Sequence, residues 1–393
     1  MIDCTGQAFY HAASPTLCQR AVEHLPAWRE RAAAAEKNRR LSSSTFSELF
    51  AGDWLDLLSP RAPVTRSGHW PTLVESARIA ARACASTGWM LALVGGHACI
   101  ARRLPPTCQD QLYAEGPRQL FASASASANS QLSWEAGGIR VHGRWRFSSG
   151  IEDATWLMLN APCPNHPEAE QTPRFLLLVA ADEVQLLDSW DSFGMAATGS
   201  HDVLAHHLLV PHERVFALHE VFARHPPTPG IDYIDHMPLV PYLTTSIIGP
   251  LLGCAEGAHA EYVAALAGSA LAGDPRIAEQ AAHSAAQLYS AGLLYDSLVS
   301  RLHEAGVQNR PLDSGQVLQL KRDRAYLAQQ CVQVVRRLVE RLGASSLVAG
   351  NPLQRHWRDI QAIAAHRDLV WNDTMLACGE AILNPSIVDA KTA

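Results

Sequence analysis

The sequence predicts an α+β fold in three consecutive parts: a helical domain over residues 1–118, a central β-domain over 119–225 and a second helical domain over 226–393. Three observations carry this. Apolar residues recur at three- and four-residue steps from about 15 to 118, and return to helical spacing from about 237. Between 119 and 216 they alternate or run in short blocks, as strands do. Hydrophobic residues make up 48% of the chain and charged residues 18%, enough to build a core and too apolar for disorder.

Within the first part, residues 30–37 are rich in strong helix formers, and 73–103 carry the mixed helical spacing. Pro60, Pro63, Pro105 and Pro106 punctuate it. In the second part, Gly137-Gly138 reads as a hairpin, followed by alternation over 139–142 and 145–147. Residues 156–160 and 175–180 read as buried strands, 201–210 as a strand ending at Pro211, and 122–128 as a Ser/Ala alternation. In the third part, residues 314–342 form a helix with Val317, Leu320, Leu327, Cys331, Val335, Leu338 and Leu342 on one face. All lie within about 60° of Arg324 at helical pitch. A cation in an apolar stripe demands compensation. An Asp or Glu partner, snorkelling to the helix end, or an anionic cofactor group would each supply it.

The net charge of −6 (32 Lys and Arg against 38 Asp and Glu) lacks the basic footprint of a nucleic-acid binder. No uninterrupted apolar run reaches the ~18 residues of a membrane span. The start, Met1-Ile2-Asp3-Cys4, does not read as a signal peptide, and nine scattered cysteines without a CxxC pair fit a reducing compartment. A cytoplasmic protein is expected. The signatures GxGxxG after a strand, GxxxxGK[ST], HExxH and GxSxG are absent. His201, His206, His207 and His212 would be split between strand faces, so a solvated edge is expected rather than a metal site. Asp191 and Asp202 read as turn residues, as do Ser148-Ser149-Gly150 and Thr198-Gly199-Ser200 taken alone.

Taken in order, four segments resemble a known family. Gly143-Arg144-Trp145-Arg146-Phe147-Ser148-Ser149-Gly150 with Trp156 is similar to the GxWxFxSG…W signature of group D flavin-dependent monooxygenases. These are the oxygenase components of two-component aromatic hydroxylases, built on the acyl-CoA dehydrogenase fold. Ser86-Thr87-Gly88-Trp89 with His97 resembles the family's N-terminal helical motif. Trp190 to Met195 with Thr198-Gly199-Ser200, then Val210-Pro211, resembles its WxxxGMxxTGS…VP segment. Asn351-Pro352-Leu353-Gln354-Arg355 with Arg358-Asp359 and His366 resembles its last-helix motif.

The resemblance implies an acyl-CoA dehydrogenase-like layout whose C-terminal domain is a four-helix bundle, assembled as a homotetramer. It implies reduced flavin (FMNH2 or FADH2) delivered by a separate reductase, O2 as co-substrate, and a C4a-hydroperoxyflavin that hydroxylates an aromatic or related small molecule. By position, Ser149 would bond near flavin N5, Phe147 would lie against the ring, and Trp89, Ser125 and Ser148 would line the pocket. Thr198 and Ser200 would add contacts, Ala344 and Ser345 would reach flavin across a subunit interface, and Arg324 would meet its phosphate. His366 and His97 would sit beside the substrate, where an imidazole can take a proton near neutral pH.

An acyl-CoA dehydrogenase using bound FAD is the alternative, and it needs a carboxylate base. Eight residues after Asp359, where one such family has Glu, stands Arg367, which cannot serve, and Tyr242-Leu243-Thr244 offers no carboxylate at the other known place. An amino-group oxygenase or a non-catalytic scaffold on the same fold remains open. The family's Gly-Gly after the first proline region is missing from Pro60 to Arg66, and Ala128-Asn129-Ser130 replaces its Pro and Gly, so an unusual substrate pocket is expected.

Overall fold

The computed structural model describes residues 9–62, 69–126, 130–162, 174–228 and 230–384. The departures at Pro63 to Arg66 and at Ala128-Asn129 lie outside them.

The chain opens with α1 (Pro15–Asn38), whose N-cap Ser14 accepts from the Leu17 amide while Pro15 starts the first turn. Ser42 caps α2 (Ser43–Ala51) in the same way. The apolar stretch 73–103 resolves into two helices, α3 (His69–Ala81) and α4 (Ala85–Ala101), buried along almost every residue. A short α5 (Pro106–Leu112) closes the first part.

The second part holds β1 (Phe121–Ala126), β2 (Gln131–Glu135), β3 (Gly138–Ser148), β4 (Trp156–Pro162), β5 (Arg174–Ala180), β6 (Gln185–Leu187), β7 (His201–Pro211) and β8 (Val215–Ala217). Among the described residues they form one sheet in the order β6-β7-β3-β1-β4-β5-β8, with β2 added onto β3. Of these described pairs only β1 and β4 run parallel; the hairpin expected at Gly137-Gly138 joins β2 to β3. The two-residue period sorts side chains between two cores. Phe121, Met158, Leu176 and Leu178 face the helices, whereas Ala122, Ala124, Leu157, Leu159 and Leu177 fill a core inside the β layer.

After α6 (Leu218–Phe222) come α7 (Leu239–Ser246), α8 (Ile248–Leu266), α9 (Pro275–Val307), α10 (Ser314–Leu342), α11 (Pro352–Ala364) and α12 (Trp371–Leu383). Asp313 and Gln316 form a capping box at the start of α10, whose bounds match the sequence expectation. The α7–α8 run is long and apolar enough to cross a membrane, but 78% of its most apolar stretch is buried inside the molecule. It is greasy all round because α3 and α4 cover one side and α9 to α11 the other. The first and last helical parts therefore share one core.

That core encloses a charge cluster. Arg78 (α3) donates to Glu256 (α8) through Nε at 3.1 Å and Nη2 at 2.6 Å, and to Glu75 through Nη1 at 3.3 Å. Arg82 donates to Glu256 at 2.7 Å, and Tyr295 (α9) to Glu75 at 2.8 Å. Two cations meet two anions, so a cluster this deep is neutral overall.

Two sequence expectations fail in the sheet. His201 is buried, not on a solvated edge, and its Nδ1 accepts the amides of Ser189 and Trp190. Asp202 is a buried strand residue, not a turn residue.

Candidate active site

The site forms where the end of β3 meets α4 and the α11–α12 turn. Between Trp145 and Ser148 the β3–β7 register shifts by one residue, a β-bulge. The bulge holds Phe147 at φ 62°, a left-handed conformation that costs a non-glycine residue about 1–3 kcal/mol. Asp202 holds it there: Oδ1 accepts the Phe147 amide at 3.1 Å while Oδ2 takes Arg144 at 2.5 Å. The Phe147 ring stands 57% exposed, with Arg146 over one face and Trp190 edge-on. Gly150 follows at φ 72°, a left-handed conformation that glycine adopts without strain, and packs against Met90 of α4.

The bulge resets the alternation. Ser148 is fully buried with its hydroxyl unpartnered among the described residues, which leaves Ser149 as the member of the pair able to present its side chain. Trp89 Nε1–H donates to Ser149 Oγ at 3.3 Å, Ser149 Oγ lies 2.8 Å from Ser200 Oγ, and Ser200 Oγ lies 2.7 Å from Thr198 Oγ1. Thr198 donates to the Met195 carbonyl at 2.8 Å. A carbonyl cannot donate, so the one Thr198 proton is committed. Ser200 must then donate to Thr198 and Ser149 to Ser200. Ser149 keeps no free proton and one unused lone pair.

The loop carrying this chain is clamped by α11. The Met195 amide, at φ 57°, donates to Asp359 Oδ1 at 2.6 Å, and Arg358 donates to the Phe193 carbonyl at 2.9 Å and pairs with Glu36. A Cβ on Gly194 would lie 2.1 Å from the Arg358 carbonyl oxygen. Two motifs far apart in the chain are thus one contact surface. Burial raises the Asp359 carboxyl to about 6, with the Met195 amide opposing.

His366 lies in the turn after α11, its ring edge-on to Trp89 at 5.5 Å. Its Nδ1 accepts the Asp368 amide at 3.4 Å and lies 3.5 Å from Asp368 Oδ2, so the neutral ring carries its proton on Nε2, the nitrogen left for a ligand. Burial lowers its pKa below the ordinary imidazole range, Asp368 opposes, and Arg367 and Arg324 add to the lowering. His97 behaves differently. Nδ1 is 2.8 Å from the Phe121 carbonyl and must carry the proton, so Nε2 accepts from Ser123 at 3.1 Å. Burial lowers it to about 4. This imidazole is neutral and held between α4 and β1.

Ser125 is exposed on the β1 face that also carries Ser123. Arg324 is buried in the helical core, its Nη1 donating to Thr244 and Thr245. Ala344 and Ser345 are exposed beyond α10 and join none of these contacts. The structure therefore gathers Trp89, Ser149, Thr198, Ser200 and His366, and places His97 with Ser123 further along α4. Sequence reasoning missed Ser123, Thr244, Asp202 and Asp368. The only signals were the Ser/Ala alternation for Ser123 and the two-residue offset of Asp368 from His366.

Residues 245–371 match the family model described as acyl-CoA dehydrogenase, C-terminal domain. The chain is 28% identical over 376 residues to the FADH2-dependent resorcinol hydroxylase, oxygenase component, of Rhizobium sp., covering 91% of each chain. It is 27% identical over 367 residues to the flavin-dependent monooxygenase, oxygenase subunit HsaA, of Rhodococcus jostii, covering 88% of this chain and 93% of that one. Among solved structures, XiaF from Streptomyces sp. in complex with FADH2 and glycerol matches with a TM-score of 0.83 at 22% identity, over 94% of this chain and 95% of that one. The HsaA monooxygenase from M. tuberculosis matches with a TM-score of 0.82 at 24% identity, over 94% and 97%. These two structures share the fold.

Proposed function

We propose that this chain, an oxygenase component of the two-component flavin-dependent monooxygenases on the acyl-CoA dehydrogenase fold, hydroxylates a small aromatic molecule held between Trp89, His366 and the Ser123–Ser125 face of β1. The observation that carries the site assignment is the one-way hydroxyl chain ending at the Met195 carbonyl, which leaves Ser149 as an acceptor. Reduced flavin carries a hydrogen on N5 and oxidised flavin does not, so the residues present fit the reduced form.

When bound, reduced flavin supplies the two electrons with which O2 puts one oxygen atom into product and the other into water. In this reading Ser149 accepts from N5–H, Thr198 and Ser200 fix its proton, and the exposed Phe147 ring packs against the flavin. Trp89 walls the pocket and keeps bulk water off, which such a reaction requires. Ser125 faces the pocket mouth; Ser148 contributes through its backbone. His366 Nε2 takes the proton of a substrate hydroxyl as carbon is oxygenated, in the tautomer whose own proton sits on Nδ1 facing Asp368 Oδ2 in exchange for the Asp368 amide contact. Asp368 then stabilises the imidazolium. His97 orients Ser123 toward the substrate. The layout of residues 1–118, 119–225 and 226–393, with a C-terminal four-helix bundle, belongs to the same reading. So do a homotetramer in which Ala344 and Ser345 reach a neighbour's flavin, a separate reductase, and a cytoplasmic setting without nucleic-acid or membrane partners. A dehydrogenase base is not supported by the buried carboxylate of α8, because Glu256 is spent on Arg78 and Arg82.

Anaerobic titration with FMN and FAD in both redox states tests the first claim: tighter binding of a reduced form is expected. Turnover of simple phenols with an added flavin reductase and ¹⁸O2 tests the second, with label expected in the product. Absence of reduced-flavin binding, or of label, overturns the reading.

A further inference from the structure

Arg324 stands in the middle of α10 at 2% exposure. Its Nη1 donates to the hydroxyls of Thr244 and Thr245, both on α7. Its Nε is buried without a partner, Nη2 has none among the described residues, and no carboxylate among them lies within ion-pairing distance. The contrast is Arg78, equally buried, whose guanidinium is met by the carboxylates of Glu75 and Glu256. Burial lowers the Arg324 guanidinium only to about 10, against the pull of Asp368, so it stays charged at neutral pH.

A buried cation facing neutral hydroxyls lacks half of its interaction. What remains open has a shape. Nε–H and Nη2–H are the parallel pair along one edge of a guanidinium, the edge that takes both oxygens of a carboxylate. Arg324 also lies near enough to the His366 ring for its charge to lower the imidazole pKa, alongside Arg367 and against Asp368. The open edge thus belongs to the neighbourhood of His366. A flavin phosphate tail is a poorer match, since it needs solvated surface and several donors, whereas this is one fork inside the helical core.

We propose that Arg324, held by Thr244 and Thr245, is a carboxylate subsite of the substrate pocket, so that the preferred substrates are aromatic carboxylates. The inference rests on the function proposed above and names the substrate class for that same site. Thr244 and Thr245 act as positioning residues: they hold Nη1 and leave the other edge free.

Binding of hydroxybenzoates and of the matching hydroxybenzyl alcohols, measured by calorimetry on the reduced-flavin complex without O2, tests it. The wild-type chain is expected to prefer the carboxylates by about 10- to 100-fold, the range of a charge-assisted pair, with affinity falling as salt rises. Arg324→Met is expected to remove that preference while leaving the melting temperature unchanged or higher, because an unpaired buried cation is removed. Arg324→Lys keeps the charge, loses the fork and should keep only part of the preference. Equal affinity for acid and alcohol, binding of neither, a preference for phenolates alone, or a carboxylate preference that survives Arg324→Met each overturns the subsite. Reduced-flavin binding is measured in the same samples. Its loss in the wild type overturns the broader reading, whereas intact flavin binding with no acid preference overturns the subsite alone.

Discussion

A serine hydroxyl has one proton and two lone pairs, and in this chain the proton of Ser149 is committed to Ser200 while Trp89 fills one lone pair. For Ser149 to donate to an oxidised flavin, Ser200 would have to turn, leaving its 2.7 Å contact with Thr198 without a hydrogen. Ser200→Ala removes that constraint. The preference for reduced over oxidised flavin should then fall about 10-fold, the worth of about one hydrogen bond, in anaerobic titrations of both forms. An unchanged preference would refute the proton assignment. At His366 the half-buried imidazole has its pKa lowered by desolvation, so activity that needs the neutral ring should persist below the ordinary imidazole range before an acid limb sets in. His366→Gln should lower hydroxylation by about 10²- to 10³-fold with reduced-flavin affinity retained, read as product formed against peroxide released.

At the scale of elements, α11 holds the Met195 loop through Asp359. Burial raises the folded-state pKa of this carboxyl from 3.8 to about 6. The folded chain therefore binds its proton more tightly than the unfolded chain, and the group costs stability as pH rises through roughly 4 to 6. Above that window the cost is complete and amounts to about 3 kcal/mol, because each tenfold difference in proton affinity between the two states is worth about 1.4 kcal/mol. Asp359→Asn keeps the acceptor for the Met195 amide and cannot ionise. Denaturant titrations should show the variant gaining on the wild type as pH rises through this window, with the difference flat above it. A difference independent of pH would show that Asp359 ionises normally.

For the whole molecule, the Glu75–Arg78–Glu256–Tyr295 cluster joins α3, α8 and α9, elements from both ends of the chain. Arg78→Met leaves Glu75 without its guanidinium and Glu256 with Arg82 alone. Stripping the partner from a buried carboxylate costs about 3–5 kcal/mol, so the urea midpoint should fall sharply, and both helical parts should unfold together because they share one core. Two separate transitions would contradict the common core.

Local chemistry in the sequence decided a good deal. The change of hydrophobic period marked where strands replace helices, and the apolar stripe of α10 placed that helix and singled out Arg324 within it. The four motifs came in an order that one family shares. Position along the chain did not decide which side chain faces the site. One extra residue in β3 leaves the Ser148 hydroxyl unpartnered among the described residues and sets Ser149 against Trp89 and Ser200, and on one face of β1 Ser123 meets His97 while Ser125 stays exposed. Asp202, Asp359 and the Thr244–Arg324 contact acquire their roles from partners 55 to 164 residues away, once the sheet and both helical parts have closed on each other. Such contacts leave no periodic trace, because what makes them is packing between elements and not the spacing within one.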